Sequence, residues 1–508
     1  MSRFLHNTLQ KNAAENPSST AIIHKDQSLT YQQLLEQSEA IASSLAQMGV
    51  QKGERVALWL PKRVEAIVAI YAISLVGAIF VPINPVLKPR QVQHILRDCA
   101  VKALISDGQR MQRLSALDHS YYMPEQMIQV DHTNALPCSI FWSELLKTPR
   151  IDFEGATNSS DVAAILYTSG STGSPKGVML SHHNLLLGSE SVVEYLSIQA
   201  TDRILAVLPL SFDYGLNQVI SAIDVGASVI LLEFLMPGDV IKAVSHYKIT
   251  GLAAVPPLWN QLSHLTWAAE CKKSLRYITN SGGHLGHTAI EALQAQLPDT
   301  DIYVMYGLTE AFRSTYLEPK ELNQRIDSIG KAIPHAEIRV LNEYGHECAA
   351  DEVGELVHLG DLVAQGYWLQ PEQTEATFRQ LDGKPALWSG DMVRRDADDY
   401  LYFVARGDEL IKSSGYRISP DEVEDCALEI SGVMQAVAMG VPDPQLGQAI
   451  LLLVEVDSDT DEHDIRKYMN AQLPRYMLPR DIEIRELPRN ANGKIDRTSL
   501  RHEYLFQT

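Results

Sequence analysis

The stretch Tyr167-Thr168-Ser169-Gly170-Ser171-Thr172-Gly173-Ser174-Pro175-Lys176-Gly177 sets the reading of this chain. It follows the apolar run Val162 to Leu166, which predicts a buried strand, and packs three glycines, five hydroxyls and one lysine into eleven residues. Glycines let backbone N–H groups turn toward an anion, the hydroxyls add donors, and the lysine adds a mobile positive charge. A strand that empties into such a loop is suited to phosphate. The Walker reading fails, because that motif requires Gly-Lys-Ser/Thr, whereas Pro175 precedes Lys176 and Gly177 follows it. The bland alternative is an ordinary Ser/Gly hairpin.

Outward from this loop the chain alternates helical and strand patterns. Before it, a helix is predicted over Tyr31 to Met48, with Leu34, Leu35, Ile41 and Leu45 on one face, then a strand over Arg55 to Leu60. Ala66 to Pro82 is almost wholly apolar, yet falls short of the ~18 to 20 residues of a membrane span and is broken by Gly77. It reads as a buried helix, Val64 to Val76, running into a strand at Ala78 to Val81. After the loop come a helix near Asn184 to Leu196, a strand Arg203 to Leu208, a helix Leu216 to Val225, a strand Ser228 to Glu233, and a third cycle from Ile249 to Val304. Such alternation predicts an α/β fold, with sheets covered by helices. From about 328 to 403, short strands and glycine turns predict a small β subdomain. A boundary near Asp408 is expected, giving a large domain 1–407 and a small α+β domain 408–508.

With 508 residues, two or three domains are expected. Apolar residues make up 45% and charged residues 21%, an ordinary globular balance. The net charge of -20 argues against a nucleic-acid partner or an anionic membrane surface. Cys99, Cys138, Cys271, Cys348 and Cys426 have no metal or disulfide spacing, so reduced thiols and a cytoplasmic setting are expected. The first residues lack a signal-peptide core.

Four further segments stand out. Tyr306-Gly307-Leu308-Thr309-Glu310 follows a predicted strand, Ile302 to Met305, at whose carboxyl end open α/β sheets bind ligands; a helix cap is the plain alternative. Trp388-Ser389-Gly390-Asp391 is expected to close a strand with an aspartate that can accept from ribose hydroxyls, or to be a β-turn. Lys412 to Arg417 reads as a glycine-containing basic loop, and Arg489 to Arg497, holding Asn492-Gly493-Lys494, as a turn near the chain end. Each of these two is otherwise a solvated connection.

In this order and at these intervals, the segments resemble the acyl-adenylate-forming superfamily of acyl-CoA synthetases, peptide-synthetase adenylation domains and luciferase-like enzymes. The resemblance runs from Leu29-Thr30-Tyr31 to Asn492-Gly493-Lys494. Pro209 to Leu216, Val255 to Trp259 and Thr309 to Thr315 look most like AMP-forming ligases of exosortase A systems, and next like stand-alone prolyl adenylating enzymes.

The resemblance implies an ATP-dependent ligase that makes an acyl-adenylate, releases pyrophosphate and passes the acyl group to a thiol. It places Thr168, Ser169, Ser171, Thr172 and Lys176 at the β- and γ-phosphates, Thr309 near the α-phosphate and Glu310 on Mg²⁺. Tyr306 is expected beside the adenine, Asp391 on the ribose, Arg406 on ribose or phosphate, and Lys494 between the attacking carboxylate and the ribose-phosphate. Asp408 matches the hinge of a mobile carboxyl-terminal domain, and Lys412, Gly415 and Arg417 a loop lining the thiol's path. The hinge reads Ala405-Arg406-Gly407-Asp408 where many relatives have Gly-Arg. CoA, or phosphopantetheine on a separate acyl or peptidyl carrier protein, is the expected acceptor, since no carrier domain follows Thr508. The implied acyl pocket comprises Asp213, Tyr214, Asn217, Ala254, Ile278, Asn280, Met305, Arg313 and Ser314. A small polar acid is expected, and an amino acid if Asp213 binds an ammonium. Pairing of Arg313 with Asp213 removes that argument, and a fatty acid is the other alternative. A non-catalytic nucleotide-binding relative is the alternative to an enzyme.

Overall fold

The structure, a computed structural model, describes residues 3–505 except 118–121, 135, 137–138, 153–154, 157, 169–174, 407–408, 410, 414–415, 444–445, 458–459 and 474; side chains at 412, 416, 417, 447 and 476 are also left aside. Local sequence explains its first layer. Thr30 caps the helix Tyr31–Gln47, its side chain accepting from the Gln33 N–H, and Leu34, Ile41 and Leu45 form the buried stripe. The neighbouring helix Val64–Leu75 has no polar face and is buried on all sides apart from Glu65, which is why its sequence imitates a short membrane span. Among the described residues no helix is long and apolar enough to cross a membrane.

A seven-stranded sheet runs Ser139–Phe141, Gln126–Gln129, Ala103–Ser106, Arg55–Trp59, Ile79–Pro82, Val162–Thr168, Lys176–Ser181. Only its last pair is antiparallel, with Thr168 opposite Lys176, so the opening loop joins two strands of a hairpin. A second sheet of fourteen strands has a parallel centre formed by Ser228–Leu231, Arg203–Ala206, Gly251–Ala254, Tyr277–Asn280 and Asp301–Tyr306. Antiparallel strands continue it through Thr315–Leu317 into Ser328–Ala332 and onward. The expected β subdomain is therefore an extension of the large sheet, because Thr315 and Tyr316 pair with Ala332 and Lys331 and leave no edge between the two regions.

After Ile411 a five-stranded sheet is covered by the helices Pro420–Leu428, Glu462–Gln472 and Arg497–Leu505. It has its own core, including Ile411, Val423, Leu452, Val454, Ile465 and Met469. Two local expectations are corrected here. Lys412 to Arg417 falls within two short antiparallel strands, Ile411–Ser413 and Tyr416–Ile418, with Lys412 opposite Arg417. Asp391 lies inside the long strand Lys384–Arg395, paired with Arg406, and does not close it.

A candidate adenylate-forming active site

The carboxyl ends of the central parallel strands open onto a cleft of about 1190 Å³, with Thr168 and Lys176 at one end and Asp213 and Arg313 at the other. The Thr309–Ala311 turn leaves the strand Asp301–Tyr306 and enters this cleft. Phe312 behind it holds φ 59° and ψ -36°, a costly backbone state maintained by full burial. A Cβ on Gly188 would stand 2.2 Å from the Phe312 ring, so the glycine makes room for the turn. Glu310 therefore projects into the cleft, where the Tyr367 hydroxyl donates to its Oε1 at 3.0 Å. Loss of hydration raises the Glu310 carboxyl above the usual range, against the lowering effect of its hydrogen bonds.

Asp391 is buried and accepts from the Tyr306 hydroxyl at 2.5 Å, with the Arg406 Nε 3.3 Å from its other oxygen. Burial, and then the facing carboxylate, push the Tyr306 phenol well above its ordinary value, so it stays a donor. At the opposite end, Asp213 begins the helix Asp213–Val225 rather than preceding a helix at Leu216. Its Oδ1 accepts from the Thr309 hydroxyl at 3.0 Å and its Oδ2 from Arg313 Nη1 at 2.6 Å. Asp213 is therefore paired with Arg313, the alternative under which the argument for an amine falls away.

Lys494 arrives from the small domain. Asn490 Oδ1 accepts from the backbone N–H groups of Asn492 and Lys494, and Gly493 takes φ 79°, which shapes the turn that carries the lysine inward. Its Nζ lies 4.6 Å from the centre of the Phe212 ring. Gly282 has φ 82°, and a Cβ there would approach Lys494 Cε to 2.5 Å, so this glycine opens the lysine's path. Burial pushes the ammonium down to about 8, with Asp213 opposing and Arg406 and Arg313 reinforcing the shift. The small domain is seated by Asn84, which donates to Ala491 O at 2.6 Å, and by a 3.2 Å contact between His284 and Asp425.

Thr168, Lys176, Tyr306, Thr309, Glu310, Asp391, Arg406, Lys494, Asp213, Met305 and Arg313 thus share one cleft. Tyr214, Asn217, Ala254, Ile278 and Asn280, held in the helix and strands beneath, and Ser314, just before the strand Thr315–Leu317, are buried behind its acyl end and do not line the open space. Ser169, Ser171, Thr172, Asp408 and Gly415 lie outside the described residues, as do the side chains of Lys412 and Arg417. Tyr367, Asn84, Gly282 and His284 escaped the sequence reading. Each lies outside a recognisable motif and acts only through a partner distant in the chain.

The description "AMP-binding enzyme" matches residues 9–368, and "AMP-binding enzyme C-terminal domain" matches residues 422–494. The chain belongs to the AMP-binding enzyme family. A long-chain-fatty-acid–CoA ligase of Bacillus subtilis (strain 168) is 29% identical, over 98% of this chain and 94% of the relative. The anthranilate CoA ligase AuaEII, solved with anthranoyl-AMP, superposes with TM-score 0.91 at 25% identity, covering 99% of this chain and 98% of its own. O-succinylbenzoate CoA synthetase of Bacillus subtilis, solved with ATP and a magnesium ion, gives TM-score 0.85 at 27% identity, covering 97% and 99%. The large α/β domain with its smaller partner is thus the fold of AMP-forming acid–thiol ligases, and the cofactor set is that of such ligases: ATP, Mg²⁺ and a thiol acceptor.

Proposed function

We propose that this cleft activates a small polar carboxylic acid as its adenylate and passes the acyl group to the thiol of CoA. The observation that carries the reading is Lys494, brought by the small domain into the cleft that also holds Lys176, Thr309, Glu310 and Asp391. One carboxylate oxygen attacks the α-phosphorus of ATP, forming a P–O bond as the bond to the β-phosphate oxygen breaks and pyrophosphate leaves. Lys494 is placed to pair with the carboxylate and with the charge that grows at the α-phosphate, and the Thr309 hydroxyl stands beside the same centre. Lys176 pairs with the leaving phosphates, while Asp391, positioned by Tyr306 and Arg406, accepts from the ribose. Glu310 suits a hard divalent cation, since it is an oxygen donor whose desolvated carboxyl gains from a neighbouring positive charge. Held by Glu310, Mg²⁺ would supply charge neutralisation at the phosphate oxygens.

In the second step the thiol, having lost its proton, forms a C–S bond at the acyl carbon as the C–O bond to AMP breaks. The small domain rotates between the steps, with Asp408 as hinge and the Lys412–Arg417 segment replacing Lys494. The Ser-Ser-Gly-Tyr-Arg segment and the CoA ligases among the relatives support CoA as acceptor; phosphopantetheine on a carrier protein is the second reading. A small acid is supported by AuaEII, which holds an anthranoyl group, and by the polar acyl end of this cleft. The test is pyrophosphate release with ATP, Mg²⁺, CoA and a panel of acids. Release with small polar acids, coupled to loss of free thiol, is expected. Release confined to medium and long fatty acids would contradict the substrate class, and none with any acid would contradict the activity.

A further inference from the structure

The acyl end of the cleft holds buried donors that the protein itself does not satisfy. Arg313 is 2% exposed; its Nη1 donates to Asp213 and to the Phe312 carbonyl, yet its Nε and Nη2 find no partner among the described residues. A Ser211 hydroxyl at the cleft wall is in the same state. Protein interiors rarely leave such groups unpaired, and a site that has them discriminates strongly against ligands that cannot pair them.

Charge narrows what can pair them. The Arg313 ammonium-like charge is already balanced by Asp213 at 2.6 Å, so the buried pair is neutral. A second carboxylate on the substrate would leave a net negative charge out of water, and an ammonium a net positive one, since Asp213 is already the counter-charge of Arg313. A bare hydrocarbon chain would seal the N–H groups away from any acceptor.

Resting on the ligase reading above, we infer that the pocket selects acids bearing a neutral acceptor oxygen on the acyl chain, an oxo or hydroxy acid, with Arg313 and Ser211 as its specificity residues. The ligand's oxygen accepts from Arg313 Nε or Nη2, with the Ser211 hydroxyl as a further donor on the cleft wall, and the Asp213–Arg313 pair stays intact. Selection therefore operates by hydrogen bonding, with the hydrocarbon part of the acid contributing little discrimination.

The experiment uses non-hydrolysable acyl sulfamoyl adenosines of one chain length, carrying a bare alkanoyl, an oxo- or hydroxyalkanoyl, an aminoacyl or an ω-carboxyalkanoyl group, with affinities read by calorimetry. The oxygenated analogue is expected to bind at least about tenfold tighter than the bare one, the factor for one buried donor left unpaired. In Ser211→Ala, and separately in the charge-balanced double variant Asp213→Asn with Arg313→Met, that ratio is expected to fall toward one. A ratio cannot be reproduced by a general folding fault, which weakens all four analogues together. Equal binding of the bare or aminoacyl analogue to the unaltered protein, or a ratio unchanged in both variants, would overturn the inference. Tight binding of the oxygenated analogue without pyrophosphate release from the matching free acid would instead remove the ligase reading and leave the pocket's preference standing.

Discussion

The two ends of the cleft solve opposite problems. At the nucleotide end, the cations keep contact with solvent: the Arg406 side chain is 55% exposed, and Lys176 reaches the Tyr367 ring at 5.1 Å from a hairpin edge. At the acyl end, Asp213 and Arg313 are withdrawn from water and neutralise one another. A ligand of fixed charge such as ATP can be met by accessible counter-charges that pay little desolvation cost. A variable acid must be told from its competitors, and dry, fixed hydrogen-bonding groups do that better than exposed charges. Lys494 stands where the ends meet, close to Asp213 yet influenced by Arg406.

The largest effect expected from this contrast is on stability at the acyl end. Arg313→Met leaves the Asp213 carboxylate buried with only the Thr309 hydroxyl, and is expected to lower the unfolding free energy by about 3–5 kcal/mol in denaturant titration. A loss below about 1 kcal/mol, the level of an exposed pair, would erase the contrast between the ends. Next comes Lys494→Ala, which is expected to raise the barrier to adenylate formation by ~2.7–4 kcal/mol while sparing thioester formation from a preformed adenylate. Single-turnover rates of the two half-reactions check it, and equal losses in both would contradict a lysine that serves one domain orientation.

The smallest effect is the pH response. Lys494 acts as an ammonium, and burial has pushed it down to about 8, so it is charged below that pH and neutral above it. Adenylation kcat/KM, which reports the free enzyme, is therefore expected to fall by about tenfold per pH unit once the pH exceeds about 8. With ATP saturating, the phosphate charge favours the ammonium, so kcat is expected to fall at a higher pH. A kcat/KM profile flat to pH 10 would place the working charge elsewhere.

Much of the nucleotide end was legible in sequence because its groups come in contiguous motifs. Val162 to Leu166 announced the strand Val162–Thr168, and Thr309, Glu310 and Lys494 each lie in short segments with their own chemistry. Tyr367 could not be found this way, since its role depends on the 3.0 Å approach to Glu310 across 57 residues of chain. The acyl end was half legible. Asp213 and Arg313 were both identified, but whether they meet decides between an amine and a neutral oxygen, and only the fold brings residues 100 apart into a 2.6 Å contact. The strand pair at 411–418 was missed because polar residues carry weak alternation, and the continuity of the large sheet because the Thr315–Leu317 link is only three residues long.

The account's central claim is that this cleft makes an acyl-adenylate before any thiol takes part. Exchange of labelled pyrophosphate into ATP, measured without CoA or carrier protein, tests it most directly. The account predicts exchange that depends on a small polar acid and on Mg²⁺ and proceeds in the absence of thiol. Exchange that appears only when a thiol is added, or that runs at the same rate without any acid, would contradict it.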